Sequence, residues 1–260
     1  MMRSGKLTIA CALVGCLMPL LCSAQALPKP CAAAAKPYLA VLVWHDVVGK
    51  KTVWFDTYTS VFDKQIAEIR AGNFHVITLQ QLLNHLIKGA PVPSRPLMLA
   101  FDDNNQGIYR NAFPILKKYH LPFTLFVHTA YVGVTTDKRH NTWAMLKAMQ
   151  KSGLATVESL TASHPENIRL LTNAQIMKEL AVSRRSIEVH LNTPVVAFVY
   201  PCDVHDLRVA TDVYRGGYTA AFTEDWGNAG TSPDMMDIHR YPAILRFAQA
   251  LKDVARGYAR

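Results

Sequence analysis

Cysteine is scarce in this sequence, and no pair of cysteines has the Cys-x-x-Cys spacing of a structural zinc knuckle. Three of the five cysteines lie within the first 22 residues, so that Cys31 and Cys202 are the ones in the rest of the chain. In an oxidising compartment these two thiols could form one disulfide, but the sequence does not decide whether they meet. A zinc knuckle is therefore excluded.

Internal repeats, low-complexity segments and a concentrated basic patch are also lacking. The formal net charge of +9 falls to +7 without Arg3 and Lys6, and this charge is spread too thinly to indicate nucleic-acid binding. The 234 residues that follow residue 26 suffice for one α/β domain with a full hydrophobic core. We therefore expect a single domain and no nucleic-acid partner.

The first 26 residues have the pattern of a secretory signal peptide. Two basic residues precede an apolar stretch at residues 7–22, and Ala-Gln-Ala at residues 24–26 has the form of a signal-peptidase site. Because the apolar stretch is short for a membrane span, we expect no membrane-spanning helix. Leu-Val-Gly-Cys at residues 13–16 offers an alternative, a lipid anchor on Cys16. Either pattern predicts an exported protein, located in a bacterial periplasm or cell envelope or secreted.

From residue 38 onward the chain alternates apolar runs with segments of helical periodicity, which predicts a parallel sheet. The most economical fold is a distorted (β/α) barrel of seven or eight strands over residues 38–260, after a linker at residues 27–37. The predicted strands cover residues 38–45, 75–78, 97–101, 123–128, 155–160, 195–200, 218–222 and 238–241. The predicted helices cover residues 62–71, 79–88, 108–116, 143–151, 173–190 and 207–214, with another at the end of the chain.

Two adjacent carboxylates, Asp102 and Asp103, follow the apolar run at residues 97–101. A buried carboxylate is costly unless something pairs with it, and the carboxyl ends of parallel strands are where such folds bind ligands. One acid could ligate a metal while its neighbour acts as a general base. The alternative is an Asp-Asp-Asn turn that caps the following helix.

Other polar residues follow the remaining predicted strands, and a barrel would gather them at the same mouth. His45 closes the first strand and could donate a proton to a leaving group, or it could simply cap the strand. His164 lies in a polar loop and could ligate a metal. Beyond a rigid turn at residues 200–201, the N–H group of Cys202 could stabilise an oxyanion. Trp226 could provide an aromatic wall for a sugar ring.

Five segments of the chain carry a family resemblance when they are taken in order. Residues 38–47 end in Trp-His-Asp-Val, residues 99–103 read Leu-Ala-Phe-Asp-Asp, and the remaining three segments are residues 113–127, 198–201 and 218–226. Together they resemble the polysaccharide deacetylases of carbohydrate esterase family 4, the NodB-like domain. The resemblance covers nearly all of the chain after the leader, and it is greatest to the poly-N-acetylglucosamine deacetylase subgroup.

The resemblance implies a distorted (β/α) barrel, a polysaccharide substrate and a divalent metal, usually zinc. Carried over by position, Asp102 would be the general base, and His45 would be the general acid that protonates the departing amine. Asp103 and His164 would ligate the metal, which would polarise the acetyl carbonyl and lower the pKa of its water.

The resemblance also implies supporting roles for other residues. The turn at Tyr200 and Pro201 resembles the third motif of the family, and the N–H group of Cys202 would there meet the developing oxyanion. Arg240 would orient Asp102.

One position departs from the family pattern. The metal motif of the family has two histidines separated by three residues, and the first of them falls on Leu160, which cannot ligate. Glu158, His128 or His45 could complete the ligand set, and the sequence does not choose among them.

Two functional hypotheses follow. The first is an exported, metal-dependent deacetylase that hydrolyses N-acetyl groups on an envelope or exported glycan. The second is a catalytically silent relative that has lost a metal ligand at Leu160 and binds a glycan without cleaving it. A glycosidase is disfavoured, because its paired carboxylates normally come from separate strands, unlike Asp102 and Asp103.

Overall fold

The computed structural model describes residues 26–257. The predicted leader, apart from its last residue, and the alternative lipid anchor at Cys16 lie outside these residues. Within the described range, no helix is both long enough and apolar enough to cross a bilayer.

Eight parallel strands form one curled sheet, the half-barrel that gives this α/β domain its distorted (β/α) barrel architecture. Its strands are β1 (Ala40–Trp44), β4 (His75–Val76), β5 (Pro96–Phe101), β6 (Phe123–Val127), β7 (Ala155–Ser159), β8 (Ala197–Val199), β9 (Ala220–Phe222) and β10 (Tyr241–Pro242). The spatial order is β10-β1-β5-β6-β7-β8-β9, with β4 beside the start of β5. A parallel bridge between Phe222 and Ile238 brings the chain before β10 against β9. The predicted barrel is therefore confirmed.

Helices connect the strands, and local sequence signals define their ends. They are α1 (Thr59–Ala71), α2 (Leu79–Lys88), α3 (Phe113–Lys118), α4 (Trp143–Lys151), α5 (Asn173–Leu191), α6 (Leu207–Arg215) and α7 (Ala243–Gly257). Thr172 and Gln175 form a capping box at the start of α5. Gly89 ends α2 in the left-handed conformation, at a φ of 65° that glycine adopts without steric cost.

A second, two-stranded sheet lies beside the barrel mouth and was not predicted from the sequence. Its strands, β2 (Asp46–Val48) and β3 (Asp56–Tyr58), are parallel and only three residues long. The buried carboxylates of Asp46 and Asp56 both accept hydrogen bonds from the Lys138 ammonium group, which comes from the loop between β6 and α4. A charge from a distant loop thus stabilises this sheet, and periodicity in β2 or β3 could not reveal it.

The stretch predicted as a linker, residues 27–37, packs on the domain. Its Ala34 is fully buried, and the carbonyl of Pro28 accepts a hydrogen bond from the N–H of Met235. Cys31 donates its thiol hydrogen to the carbonyl of His85, over a distance of 3.6 Å. Cys31 and Cys202 are both free thiols, so the disulfide left open by the sequence is absent from the described structure.

Glu158, one of the three candidates for a third metal ligand, is engaged elsewhere. Its Oε2 atom accepts hydrogen bonds of 2.8 Å from the N–H groups of Val196 and Ala197 at the start of β8. Burial raises the pKa of Glu158 to about 8, against the opposing effect of those two N–H groups. The side chain therefore joins β7 to β8, which corrects its assignment as a possible ligand.

The raised pKa of Glu158 predicts a pH dependence of stability. Because the folded state favours the protonated carboxyl, this contribution is complete below about pH 4.5 and is lost as the pH rises through about 8. Glu158→Gln keeps an acceptor for β8 without the charge. We expect the variant to match the wild-type free energy of unfolding at pH 5 and to exceed it at pH 9, on the order of a few kcal/mol.

The measurement is urea unfolding of both proteins across this pH range. Glu68→Gln, on the exposed face of α1, is the matched control and should leave the wild-type pH dependence unchanged. A parallel pH dependence in Glu158→Gln and the wild type would contradict the assignment.

Candidate active site

The loops that follow β1, β5, β7, β8 and β9 surround one cleft of about 270 Å³ at the carboxyl ends of the strands. Parallel strands present their carboxyl ends to the same side, so residues far apart in sequence meet there. Its polar and charged lining residues are His45, Asp102, Asp103, His164, Tyr200, Cys202, Asp203, Glu224 and Arg240. Its apolar lining residues are Trp54, Phe55, Leu160, Val199, Pro242 and Ile244.

Asp102 forms a bidentate ion pair with Arg240. The two guanidinium nitrogens lie 2.9 Å from the two carboxylate oxygens, and both side chains are buried. Arg240 also donates from Nε to the carbonyl of Thr223, at 2.9 Å. Planar pairing of this kind fixes both the position and the rotation of a carboxylate. The plane of the Asp102 carboxylate is thus defined.

His45 faces Asp102 across the cleft entrance and pairs with a residue that the sequence did not single out. Its Nε2 atom lies 3.4 Å from Oε1 of Glu224, and its main-chain carbonyl accepts a hydrogen bond from the Asn105 side chain. Burial raises the pKa of Glu224, against the opposing effect of Arg240. Among residues 26–257, His45, Asp102 and Glu224 form the group whose potential ligand atoms all lie within 4.8 Å of one another.

Asp103 and His164 approach each other in the same cleft. The distance from His164 Nε2 to Asp103 Oδ1 is 3.7 Å. In a tetrahedral site with bonds of about 2.1 Å, neighbouring ligands lie ~3.4 Å apart, so this distance suits two ligands of one ion. The loop that carries His164 is fixed by Thr161, whose hydroxyl accepts from the His164 N–H. It is also fixed by Glu179, whose carboxylate accepts from two further N–H groups.

Leu160 lies in the cleft wall and is 2% exposed. The adjacent strand β6 is followed directly by His128, which lines a second cavity of about 360 Å³ shared with Asp103 and His164. The rings of His128 and His164 are 5.2 Å apart between centroids. Burial lowers the pKa of His128 to about 3, and the neighbouring rings of His164 and His140 add to the effect. His128 is therefore neutral at physiological pH, the form in which imidazole ligates metals.

The backbone of these loops is unusually rich in left-handed conformations. Of the ten described non-glycine residues with positive φ, six lie in the loops around the cleft: Asp103, Asn104, Thr161, His164, Cys202 and Asp203. Each such position costs on the order of 1 kcal/mol, most for a β-branched residue such as Thr161. Strain of this kind persists only where surrounding contacts determine it, and it accumulates at functional sites.

The turn after β8 puts the N–H of Cys202 at the cleft. Pro201 is buried at the start of the turn, and Tyr200 uses its hydroxyl to donate to the carbonyl of Met236 at 2.8 Å. The N–H of Cys202 makes no hydrogen bond to another described residue. Of these three residues, Tyr200 and Cys202 line the cleft, and Pro201 supports the turn from behind.

The aromatic residues that line the cleft come from a segment that the sequence did not single out. Trp54 and Phe55, in the loop between β2 and β3, line the cleft, and Trp54 is 68% exposed. The sequence offered no sign of this, since the β2–β3 sheet that carries Trp54 was not predicted. Trp226 is 49% exposed and lies outside this lining, where its ring packs against the guanidinium group of Arg246 at 4.8 Å. Its role as a wall for a sugar ring stays a prediction.

Glu224 was also missed, although a signal for it existed. It stands two residues beyond the last residue of β9, close to the strand end as His45 and Asp102 are, each one residue beyond β1 and β5. The sequence analysis named Trp226, two residues further along the chain.

Comparison with known proteins supports a family assignment. A family model described as polysaccharide deacetylase matches residues 89–221. The chain is similar to the poly-beta-1,6-N-acetyl-D-glucosamine N-deacetylase of Staphylococcus epidermidis, with 38% identity over 193 residues, 71% of this chain and 65% of the relative. The protein of the same name from Staphylococcus aureus is 31% identical over 153 residues, 55% of this chain. The chain spans about half the length of that relative, 52%.

Solved structures show the same fold. IcaB from Ammonifex degensii has a TM-score of 0.76 and 23% identity, covering 84% of this chain and 97% of its own. The Streptococcus pyogenes deacetylase PplD, in complex with acetate, has a TM-score of 0.74 and 19% identity, covering 82% of this chain and 98% of its own. At these identities the likeness is one of fold.

The buried pair of Asp102 and Arg240 predicts a non-additive stability effect. Arg240→Met leaves the Asp102 charge buried without a partner, and we expect it to lower the free energy of unfolding by about 3–5 kcal/mol. Adding Asp102→Asn to Arg240→Met removes that charge and should recover part of the loss. Urea unfolding of the two single variants and the double variant measures the coupling. Losses that simply add would contradict it.

Proposed function

Because the chain belongs to the polysaccharide deacetylase family, we propose that it is a metal-dependent hydrolase that removes N-acetyl groups from a glycan of the poly-N-acetylglucosamine type, exported and acting in the cell envelope or outside the cell. The observation that carries the proposal is the meeting of Asp102, His45, Asp103 and His164 in one cleft. The names of the relatives support the substrate class.

The donor set of the cleft is compatible with a divalent metal, and we infer zinc. Asp103 and His164 supply one oxygen and one nitrogen at a separation that suits a shared ion. The buried Nδ1 atom of His128 has no hydrogen-bond partner and lies beside this pair. When bound, the metal would polarise the acetyl carbonyl and lower the pKa of water.

In this proposal Asp102 is the general base. It removes a proton from the water whose oxygen attacks the acetyl carbon, and Arg240 holds the carboxylate in the orientation that this step needs. The oxygen of the attacked carbonyl becomes negatively charged, and the N–H group of Cys202 can donate a hydrogen bond to it.

His45 acts as the general acid. It delivers a proton to the nitrogen as the carbon–nitrogen bond breaks, so that the products are acetate and a glucosamine residue with a free amine. Glu224, whose Oε1 atom lies 3.4 Å from the imidazole Nε2, orients the ring. The exposed ring of Trp54 supplies an apolar face on which a sugar can stack.

The second candidate function is glycan binding without cleavage. Leu160 supports it, because a site with two protein ligands holds zinc less well than the usual three. Metal-free protein that still binds an acetylated oligomer and releases no acetate would favour this candidate over the hydrolase.

Asp102→Asn tests the catalytic assignment. We expect acetate release from an oligomer of β-1,6-linked N-acetylglucosamine to fall by about 10²–10⁴-fold, because the base is lost while the size of the side chain is kept. Removal of metal with a chelator should abolish the same activity, and added zinc should restore it. Asp225→Asn, at an exposed carboxylate outside the cleft lining, is the control. Wild-type activity in Asp102→Asn would contradict the mechanism.

Glu224→Gln tests the contact to the acid. Without the carboxylate 3.4 Å from His45 Nε2, the imidazole is less firmly oriented, so kcat for acetate release should fall by about tenfold while KM changes little. The matched control is Glu166→Gln, an exposed carboxylate outside the cleft lining, which should keep the wild-type kcat. A wild-type kcat in Glu224→Gln would separate Glu224 from the acid.

A further inference from the structure

Leu160, where the metal motif of the family has a histidine, has the polar residue His128 as its neighbour beyond the adjacent strand. Hydrogen bonds run from the Leu160 N–H to the Val127 carbonyl, at 3.0 Å, and from the Thr129 N–H to the Thr161 carbonyl, at 3.3 Å. The residue pairing of β6 with β7 ends at Val127 and Ser159. His128 and Leu160 are the next residues on these two adjacent strands, and the bond to the Val127 carbonyl keeps them side by side at the barrel mouth.

His128 has a buried imidazole with a free nitrogen. The side chain is 5% exposed, and its Nδ1 atom makes no hydrogen bond. A buried polar atom without a partner is costly, so native proteins retain few of them without a reason. The ring packs edge-on against His164 at a centroid distance of 5.2 Å, beside Asp103.

We propose that His128 is the third protein ligand of the metal and takes the place of the histidine that the family has at Leu160. The inference rests on the proposed function. It specifies the metal site further, because it assigns the third ligand to a residue that follows β6 and not to one that follows β7. Three protein ligands with one position open to water or substrate is the arrangement of catalytic zinc sites.

The ring of His128 has to turn for this role. Asp103, His164 and His128 are not among the groups of described residues whose ligand atoms lie within 4.8 Å of one another. The second cavity, of about 360 Å³, borders His128 and His164 and gives the ring space to move. His140 lies on the far side of the cluster, where its Nδ1 faces the carbonyl of Val134 at 3.1 Å. Because His140 Nδ1 already has this hydrogen-bond partner, His140 serves as the control residue in the test of His128.

The decisive experiment measures metal affinity in the absence of substrate. Zinc is titrated into apo-protein against a chromophoric chelator, and cobalt is titrated to record the visible absorption of the bound ion. We expect one equivalent of metal in the wild type and a loss of affinity of ~100-fold or more in His128→Gln, with a changed cobalt spectrum. His140→Gln, a matched change in the same cluster, should stay within about threefold of the wild type.

Two further variants keep the test sharp. Asp103→Asn should lose metal whichever residue is the third ligand, so it tests the proposed function separately. Adding Leu160→His to His128→Gln should restore binding, because it returns a histidine to the family position. Circular dichroism of each apo-protein checks that the fold is kept.

The outcomes separate the two levels of the proposal. Wild-type affinity in His128→Gln, with loss in Asp103→Asn, overturns the role of His128 and leaves the proposed function standing. Equal losses in His128→Gln and His140→Gln also overturn it, because they indicate general damage to the cluster. A wild type that binds neither zinc nor cobalt overturns both the inference and the metal-dependent function.

Discussion

The ion pair between Arg240 and Asp102 is the interaction on which the geometry of the cleft depends. Arg240 enters just before β10, at one edge of the curled sheet, and its Nε atom binds the carbonyl of Thr223 at the other edge. Its two terminal nitrogens reach Asp102, at the end of the central strand β5. One side chain thus joins three parts of the barrel mouth. Two buried charges are tolerable only together, which ties the position of Asp102 to the closure of the barrel.

The other polar residues of the cleft lie in loops whose backbone is strained. Asp103, His164 and Cys202 all have positive φ, a conformation that non-glycine residues avoid without support. That support comes from contacts distant in sequence, such as the Glu179 carboxylate beneath the loop of His164. Asn141 similarly donates to the carbonyls that follow Asp103 in the β5 loop. A site built in this way is organised before substrate binds, as general acid–base chemistry and metal ligation require.

The sequence was a sufficient guide where local physics dominates. Apolar runs such as residues 97–101 predicted the buried strands of the large sheet, because strands covered on both faces are apolar throughout. The last strand was placed at residues 238–241, which share only Tyr241 with β10. The two strands at Asp46–Val48 and Asp56–Tyr58 escaped prediction, because they depend on Lys138 from a remote loop. Trp54 and Phe55, between these two strands, were missed as cleft residues for the same reason.

The sequence alone determined the order of strands and helices, because this order follows from the periodicity of apolar residues. It also placed His45 and the acids Asp102 and Asp103 at strand ends, which parallel strands bring to one side of the sheet. Tertiary structure decided which of these groups meet. It paired His45 with Glu224, turned Glu158 toward β8 and set His128 beside Leu160. Those outcomes depend on the register between strands and on side-chain packing across the barrel, which no local pattern encodes.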